Sequence, residues 1–167
     1  MASTKDNLMA GFAGESQANR RYLFFAERAD REGHRQIARR FRAIAEAETV
    51  HARNHFRIAG EIKSTRENLL TAIEGERYES EEMYPAFVKE AGADGNMTAR
   101  TNFDRTRMVE EIHLGMYRAA LESLEKGLPL EERPVYICET CGHTVEGEPP
   151  DRCPICNALR RAYRRVD

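Results

Sequence analysis

The sequence has no tryptophan, no apolar run approaching the about 18 residues a membrane-crossing helix needs, and a net charge of only −2. The missing apolar run excludes a helix that crosses a membrane, and residues 1–7 show no basic segment leading into an apolar one, so a cytoplasmic protein is expected. The near-neutral balance removes any global electrostatic reason to bind nucleic acid or an anionic membrane, leaving a small substrate or a protein partner as the expected ligand. The only basic concentration, Arg160, Arg161, Arg164 and Arg165, reads as a solvated end. Cysteine is absent before Cys138, and of the six prolines only Pro85 precedes Gly127, while Pro129, Pro134, Pro149, Pro150 and Pro154 follow it. Composition therefore splits the chain into a long part and a short one, with the boundary expected at 130/131.

The long part carries four helical segments, expected near 4–32, 35–59, 66–91 and 98–126. Ser3 or Thr4, Ser64 or Thr65, and Asn96 are residue types that cap helix N-termini, and Gly33, Gly60, Gly92 and Gly127 are the expected C-terminal stops. Pro85 falls inside the third segment. Lacking a backbone donor it should bend that helix without ending it, because the apolar pattern resumes at Phe87 and Val88.

Each segment has an inward stripe at alternating steps of three and four, and each stripe is broken by carboxylates. The second reads Ile37, Phe41, Ile44, Glu48, His51, His55, Ile58, and the fourth reads Phe103, Thr106, Glu110, His113, Tyr117, Ala120, Leu124. The third contributes Leu69, Ala72, Glu76, Glu79, Met83 and Phe87, and the first Leu8, Phe12, Glu15, Asn19, Tyr22 and Ala26. Carboxylates facing a core without a cation would each cost on the order of several kcal/mol, and their mutual repulsion would add to it. Two metal ions remove that cost. A Glu from each of two helices plus Glu-x-x-His from each of the others is a ligand pattern of di-iron bundles; here the third helix offers one glutamate more than the pattern requires. His55 has no acidic counterpart and reads as a core or boundary histidine, while His34, Glu46, Glu74 and Glu111 read as solvent-facing.

In the short part, Cys138-Glu-Thr-Cys141 and Cys153-Pro-Ile-Cys156 each present two sulfurs from one tight turn. Four thiolates suit tetrahedral iron or zinc, and so small a module depends on its metal to fold. Spacing does not choose the metal. A redox-capable neighbour favours iron.

These residues resemble the rubrerythrin family over nearly the whole chain. The resemblance rests on Phe12-Ala-Gly-Glu-Ser16, Glu46-Ala-Glu-Thr-Val-His-Ala52, Gly75-Glu-Arg-Tyr-Glu79 with Met83-Tyr-Pro85, Glu110-Glu-Ile-His113, and the paired cysteine knuckles. It implies a mainly α protein: a ferritin-like four-helix bundle with two non-haem irons over 1–130, and a rubredoxin-like module with one iron over 131–167. It also implies a peroxidase that reduces hydrogen peroxide in oxidative-stress defence, with electrons from NAD(P)H through separate reductases or a rubredoxin. Under the resemblance Glu48 and Glu110 bridge the irons, Glu15 is terminal on one, and Glu79 and His113 are terminal on the other. His51 ligates the first iron when reduced and Glu76 replaces it on oxidation, as expected when a more positive ion prefers an anionic oxygen. Tyr22 and Tyr84 stand where the family places hydrogen-bonding tyrosines beside the site. Asn157 replaces a common glycine in the second knuckle, a tolerable change because asparagine accepts left-handed backbone angles.

A ferritin-like bundle needs its second and third helices parallel, which calls for a connection of roughly 30 Å, whereas the five residues 61–65 reach about 17 Å. The expected solution is a segment-swapped homodimer: Glu15, Glu48 and His51 from one chain meet Glu76, Glu79, Glu110 and His113 from the other. Electrons are then expected to pass from the cysteine centre to the bundle across a subunit contact. The alternatives left by the sequence are a ferroxidase, iron-handling protein or oxygenase using dioxygen, a metal-storage or zinc-bound structural protein with zinc in either site, and, for the assembly, an unswapped up-and-down monomer.

Overall fold

The computed structural model describes residues 2–166. Met1 and Asp167, the outer limits of the two expected domains, lie outside the described residues. The chain is mainly helical and divides into two compact units, Met1–Lys63 and Ser64–Asp167.

The first unit is a hairpin of α1 (Thr4–Arg31) and α2 (Arg35–Ile58). Ser3 opens α1 with a reciprocal cap, its hydroxyl accepting from the Asp6 amide at 3.1 Å while the Asp6 carboxylate accepts from the Ser3 amide at 2.7 Å. Gly33 ends it by taking a φ of +83°. The hairpin seam is made of alanines: Ala18, Ala26 and Ala29 on α1, and Ala38, Ala45 and Ala52 on α2, are all buried. Small side chains let the two backbones come close, and Asn19 uses that proximity to donate to the Ala45 carbonyl at 2.6 Å and the Thr49 hydroxyl at 2.9 Å. Lower in the hairpin the His55 ring lies over Gly11, where an added Cβ would sit 3.0 Å from the imidazole carbon. His55 is therefore a boundary histidine, as expected.

Within the hairpin the expected inward stripe of α2 is not the seam. Ile37 and Ile44 are 48% exposed and Ile58 62%, because the seam runs through the adjacent alanine stripe.

In the second unit, α3 (Thr65–Tyr78), a π-helical segment (Glu79–Met83) and α4 (Tyr84–Ala93) follow one another without a break. Ser64 caps α3 in the same reciprocal way with Glu67. Pro85 has no N–H to donate, and the chain accommodates it just upstream, where the Tyr84 amide bonds the Glu79 carbonyl five residues back. The expected bend is therefore a change of helical register that re-aims Glu79 relative to Glu76. Gly92 is not the stop; it stays within α4, and Gly95, with φ +70°, turns the chain. Asn96 then caps α5 (Met97–Glu125) through the Ala99 amide at 3.0 Å. Tyr84, Phe87 and Phe103 form an aromatic cluster joining α4 to α5, with ring centroids 5.5 to 6.3 Å apart.

The cysteine module is a three-stranded antiparallel sheet in the order β2 (Thr144–Glu146), β1 (Val135–Cys138), β3 (Tyr163–Val166). Its knuckles are alike: the Gly142 amide bonds the Cys138 carbonyl at 2.8 Å, and the Asn157 amide bonds the Cys153 carbonyl at 2.9 Å. Gly142 and Asn157 both take positive φ, +83° and +63°, so asparagine fills the glycine-type position as expected. This module packs on α5 of its own chain, with Gly142 facing Val109.

Candidate metal centres

Glu48 and His51 sit three residues apart on α2, so one helical turn places the Glu48 carboxylate 2.9 Å from His51 Nδ1. Glu15 of α1 joins them, and the ligand atoms of all three lie within 4.8 Å of one another. The same spacing on α5 places the Glu110 carboxylate 2.7 Å from His113 Nδ1, and Glu76 of α3 approaches that nitrogen to 3.9 Å. Glu76, Glu110 and His113 again converge within 4.8 Å. Each unit thus assembles three candidate ligands from two helices.

Glu79 stands outside that triplet, in the π segment, and burial and the Glu110 charge raise its pKa. Burial, followed by the charges of Glu79, Glu110 and Glu76, also raises the pKa of Tyr84. Tyr22 packs against Phe25 and Phe41 at centroid distances of 6.3 and 6.2 Å.

The electrostatics describe a pocket short of positive charge. Burial and the neighbouring Glu110 carboxylate push the Glu76 pKa up to about 7, and the hydrogen bond that His113 donates to Glu110 raises that of His113. Both groups cling to protons because nothing else neutralises the cluster. A divalent ion would replace those protons.

This has a consequence for the protein stripped of metal. Glu76 is held near 7 in the fold against 4.5 when free, so its contribution to stability is complete below pH 4.5 and lost as pH rises through 7. Glu79 and His113, also raised, act with the same sign. The chelator-treated protein should therefore be less stable at pH 8 than at pH 5.5, by about 2 kcal/mol after allowing for solvent screening. Thermal unfolding at the two pH values measures this, and a metal-free protein that gains stability toward pH 8 would contradict it.

The four cysteines are free thiols gathered within 4.8 Å. Sγ of Cys138 lies 3.7 Å from that of Cys156, and Sγ of Cys141 lies 3.6 Å from that of Cys153. A tetrahedral ion with metal–sulfur bonds of about 2.3 Å requires sulfur–sulfur edges of about 3.8 Å, so the cage has the right size. Burial pushes the Cys141 thiol up. Burial also resists ionisation of Cys153, but hydrogen bonds from the Tyr163 hydroxyl and the amides of Cys156 and Ile155 outweigh it and bring that thiol to about 6. One cysteine is thus ready to bind metal as a thiolate near neutral pH.

Two further groups emerge that periodicity had not marked. Buried His143 meets the Tyr163 hydroxyl at 2.6 Å, and the Thr144 hydroxyl lies 2.9 Å from His113 Nε2. The second contact joins the cysteine module to a candidate ligand of the helical site within one chain. Neither contact leaves a trace in local sequence, since each depends on how a strand packs.

Carboxylate and histidine ligands on helices, together with a four-thiolate knuckle cage, define a di-iron carboxylate protein carrying its own rubredoxin-like centre. The comparisons make that class specific. Residues 6–121 match the rubrerythrin family model, and residues 136–163 match the model of the rubrerythrin rubredoxin-like domain. The chain is 37% identical to rubrerythrin from Porphyromonas gingivalis, covering 97% of this chain and 88% of that protein. It is 34% identical to nigerythrin from Nitratidesulfovibrio vulgaris, over 93% of this chain and 83% of the relative. The solved structure of fully reduced, all-ferrous nigerythrin superposes with a TM-score of 0.59 at 32% identity, covering 99% of this chain and 88% of that one. The chain belongs to the rubrerythrin family. It has the family's ferritin-like fold, with donor sets that fit two irons among the helices and one iron among the cysteines, and members of the family are oxidoreductases. No helix among the described residues is long and apolar enough to cross a membrane.

Proposed function

We propose that the protein is a cytoplasmic peroxidase that reduces hydrogen peroxide to water in oxidative-stress defence. Its electrons would come from NAD(P)H through a separate reductase or a rubredoxin and enter at the four-cysteine centre. The observation that carries this reading is the direct hydrogen bond between His113 and the cysteine module, which ties an electron-transfer type of site to a carboxylate–histidine site. Peroxide takes up two electrons and two protons and leaves as two waters, and the irons, when bound, supply the electrons. The protons fall to this chain's own groups. Tyr84, whose hydroxyl is kept protonated by burial and by the charges of Glu79, Glu110 and Glu76, is the candidate donor.

In this reading Glu48 and Glu110 would be shared by the two irons, Glu15, Glu79 and His113 would each hold one, and His51 would give way to Glu76 on oxidation. Tyr22 and Tyr84 orient ligands by hydrogen bonding. The bundle occupies 1–130 and the rubredoxin-like domain 131–167. The assembly is a segment-swapped homodimer, in which residues 1–63 of one chain pair with residues 64–167 of another. Three features support it: the short connection between Ile58 and Thr65, the exposed apolar stripe of Ile37, Ile44 and Ile58, and opposite charge. Residues 1–63 carry 12 Lys and Arg against 8 acidic side chains; subtracting these from the chain totals of 26 and 28 leaves 14 against 20 in the remainder.

Anaerobic titration of the all-ferrous protein with peroxide, followed by optical and Mössbauer spectroscopy, tests the reaction. One peroxide should oxidise one pair of bundle irons, faster than dioxygen does. Faster oxidation by dioxygen would favour a ferroxidase, and bundle sites that take up only zinc would favour a storage or structural protein. Sedimentation of the same sample should give a dimer; a stable monomer with its full iron complement would reject the swap.

A further inference from the structure

We propose that Thr144 of the cysteine module is a positioning residue for His113, holding its ring with Nε2–H bonded outward so that Nδ1 is the nitrogen presented to metal. The inference rests on the reading of His113 as a ligand and adds to it a residue from outside the bundle. The two ring nitrogens have different surroundings. Nδ1 faces the Glu110 carboxylate at 2.7 Å and Glu76 at 3.9 Å, the position a cation would share. Nε2 faces the Thr144 hydroxyl at 2.9 Å, and the ring also interacts with the Gly142 carbonyl of the same knuckle.

The direction of that second bond follows from the hydroxyl's other partner. Thr144 Oγ1 donates its single proton to the Gly142 carbonyl at 3.1 Å, which leaves a lone pair, and no proton, to offer the imidazole. His113 must then be the donor. With its proton fixed on Nε2, the proton that Nδ1 shares with the Glu110 carboxylate is the one a cation displaces, which frees the Nδ1 lone pair for metal. A metal-binding histidine generally needs such a partner on its far nitrogen to fix tautomer and ring angle. In a bundle this partner usually comes from a neighbouring helix; here it comes from β2, in the sheet built around the cysteines.

A physical coupling results. Thr144 lies three residues beyond Cys141, and its proton acceptor is the carbonyl of the residue following Cys141. The position of the hydroxyl therefore depends on the first knuckle being folded around its metal. Loading the cysteine site should tighten metal binding at Glu76, Glu110 and His113 even when no electron moves.

The test uses the full chain, with metal in the four-cysteine site and the carboxylate sites emptied by a chelator. Titration with Co2+ or Zn2+ gives affinity. Nitrogen-15 spectra of the zinc-loaded protein give the coordinated nitrogen and the exchange rate of the His113 Nε2 proton. Thr144→Val should weaken binding at the His113 site about 10- to 100-fold and speed exchange of that proton. Thr144→Ser, which restores the hydroxyl, should bind within a few-fold of the parent. The absorption of the iron-loaded cysteine site reports whether each variant is folded, and any that is not is replaced by Thr144→Ala under the same criteria. Parental affinity and proton exchange in Thr144→Val would overturn the proposal, as would equal losses in Thr144→Ser and Thr144→Val. If His113→Ala leaves metal binding unchanged, the ligand assignment itself fails, an outcome distinct from failure of Thr144 alone.

Discussion

Replacing Cys138 and Cys141 together with serine is expected to bring steady-state peroxide reduction down to the uncatalysed level, while a single peroxide-driven oxidation of bundle iron survives at saturating Fe2+. Two of four thiolates are then missing from a cage whose edges match a tetrahedral ion, so no electron-transfer metal is retained. Electrons already stored in the bundle can be used once, but they cannot be replaced. The variant has a second effect, because a module without its metal no longer holds Thr144 against His113, and iron affinity in the bundle falls as well. Zinc in the intact cysteine site separates the two effects. It preserves the fold and the Thr144 contact but carries no redox chemistry, so the zinc-substituted protein should lose turnover and keep parental affinity for bundle iron. Stopped-flow absorption distinguishes the phases. Loss of the single oxidation in the zinc form would contradict the division of labour between the two sites.

Glu110→Gln should produce changes of opposite sign in the metal-free and metal-loaded proteins. Glutamine keeps the shape of the side chain and a carbonyl near His113, but it removes the charge that helps to push Glu76 up to about 7. Relief of repulsion should stabilise the chelator-treated protein at pH 8 by about 1 kcal/mol, the equivalent of somewhat under one pKa unit. Metal binding should fall by about 100-fold or more, since losing a group merely one step removed from a metal already costs 10- to 100-fold. Iron content after equilibrium dialysis and thermal unfolding with and without iron measure the two arms. A variant that is less stable without metal, or that retains its iron, would show that Glu110 serves packing and not charge.

Both results depend on features of unequal visibility in the sequence. The Glu-x-x-His pairs were legible because a spacing of three is a local property of one helix, and the hydrogen bonds within Glu48–His51 and Glu110–His113 need no tertiary information. The cysteine knuckles were legible for the same reason. The hairpin seam was less so. Isoleucine and alanine stripes lie side by side on α2, and periodicity alone cannot say which of two neighbouring stripes takes the close contact. Likewise Pro85 announced a disturbance, but its resolution as a π segment that re-aims Glu79 depends on how the helix compensates for a missing amide.

By itself, then, the sequence determined the helical segments, most of their caps, the carboxylate, histidine and cysteine side chains that are candidate donors, and the membership of a family that uses such groups to hold iron. Each is written within a few residues, where backbone geometry leaves little freedom. Only the tertiary structure decided that the alanines form the seam, which nitrogen of His113 faces the carboxylates, and that a threonine 31 residues away completes its surroundings. Those are contacts between surfaces that local periodicity orients but does not pair.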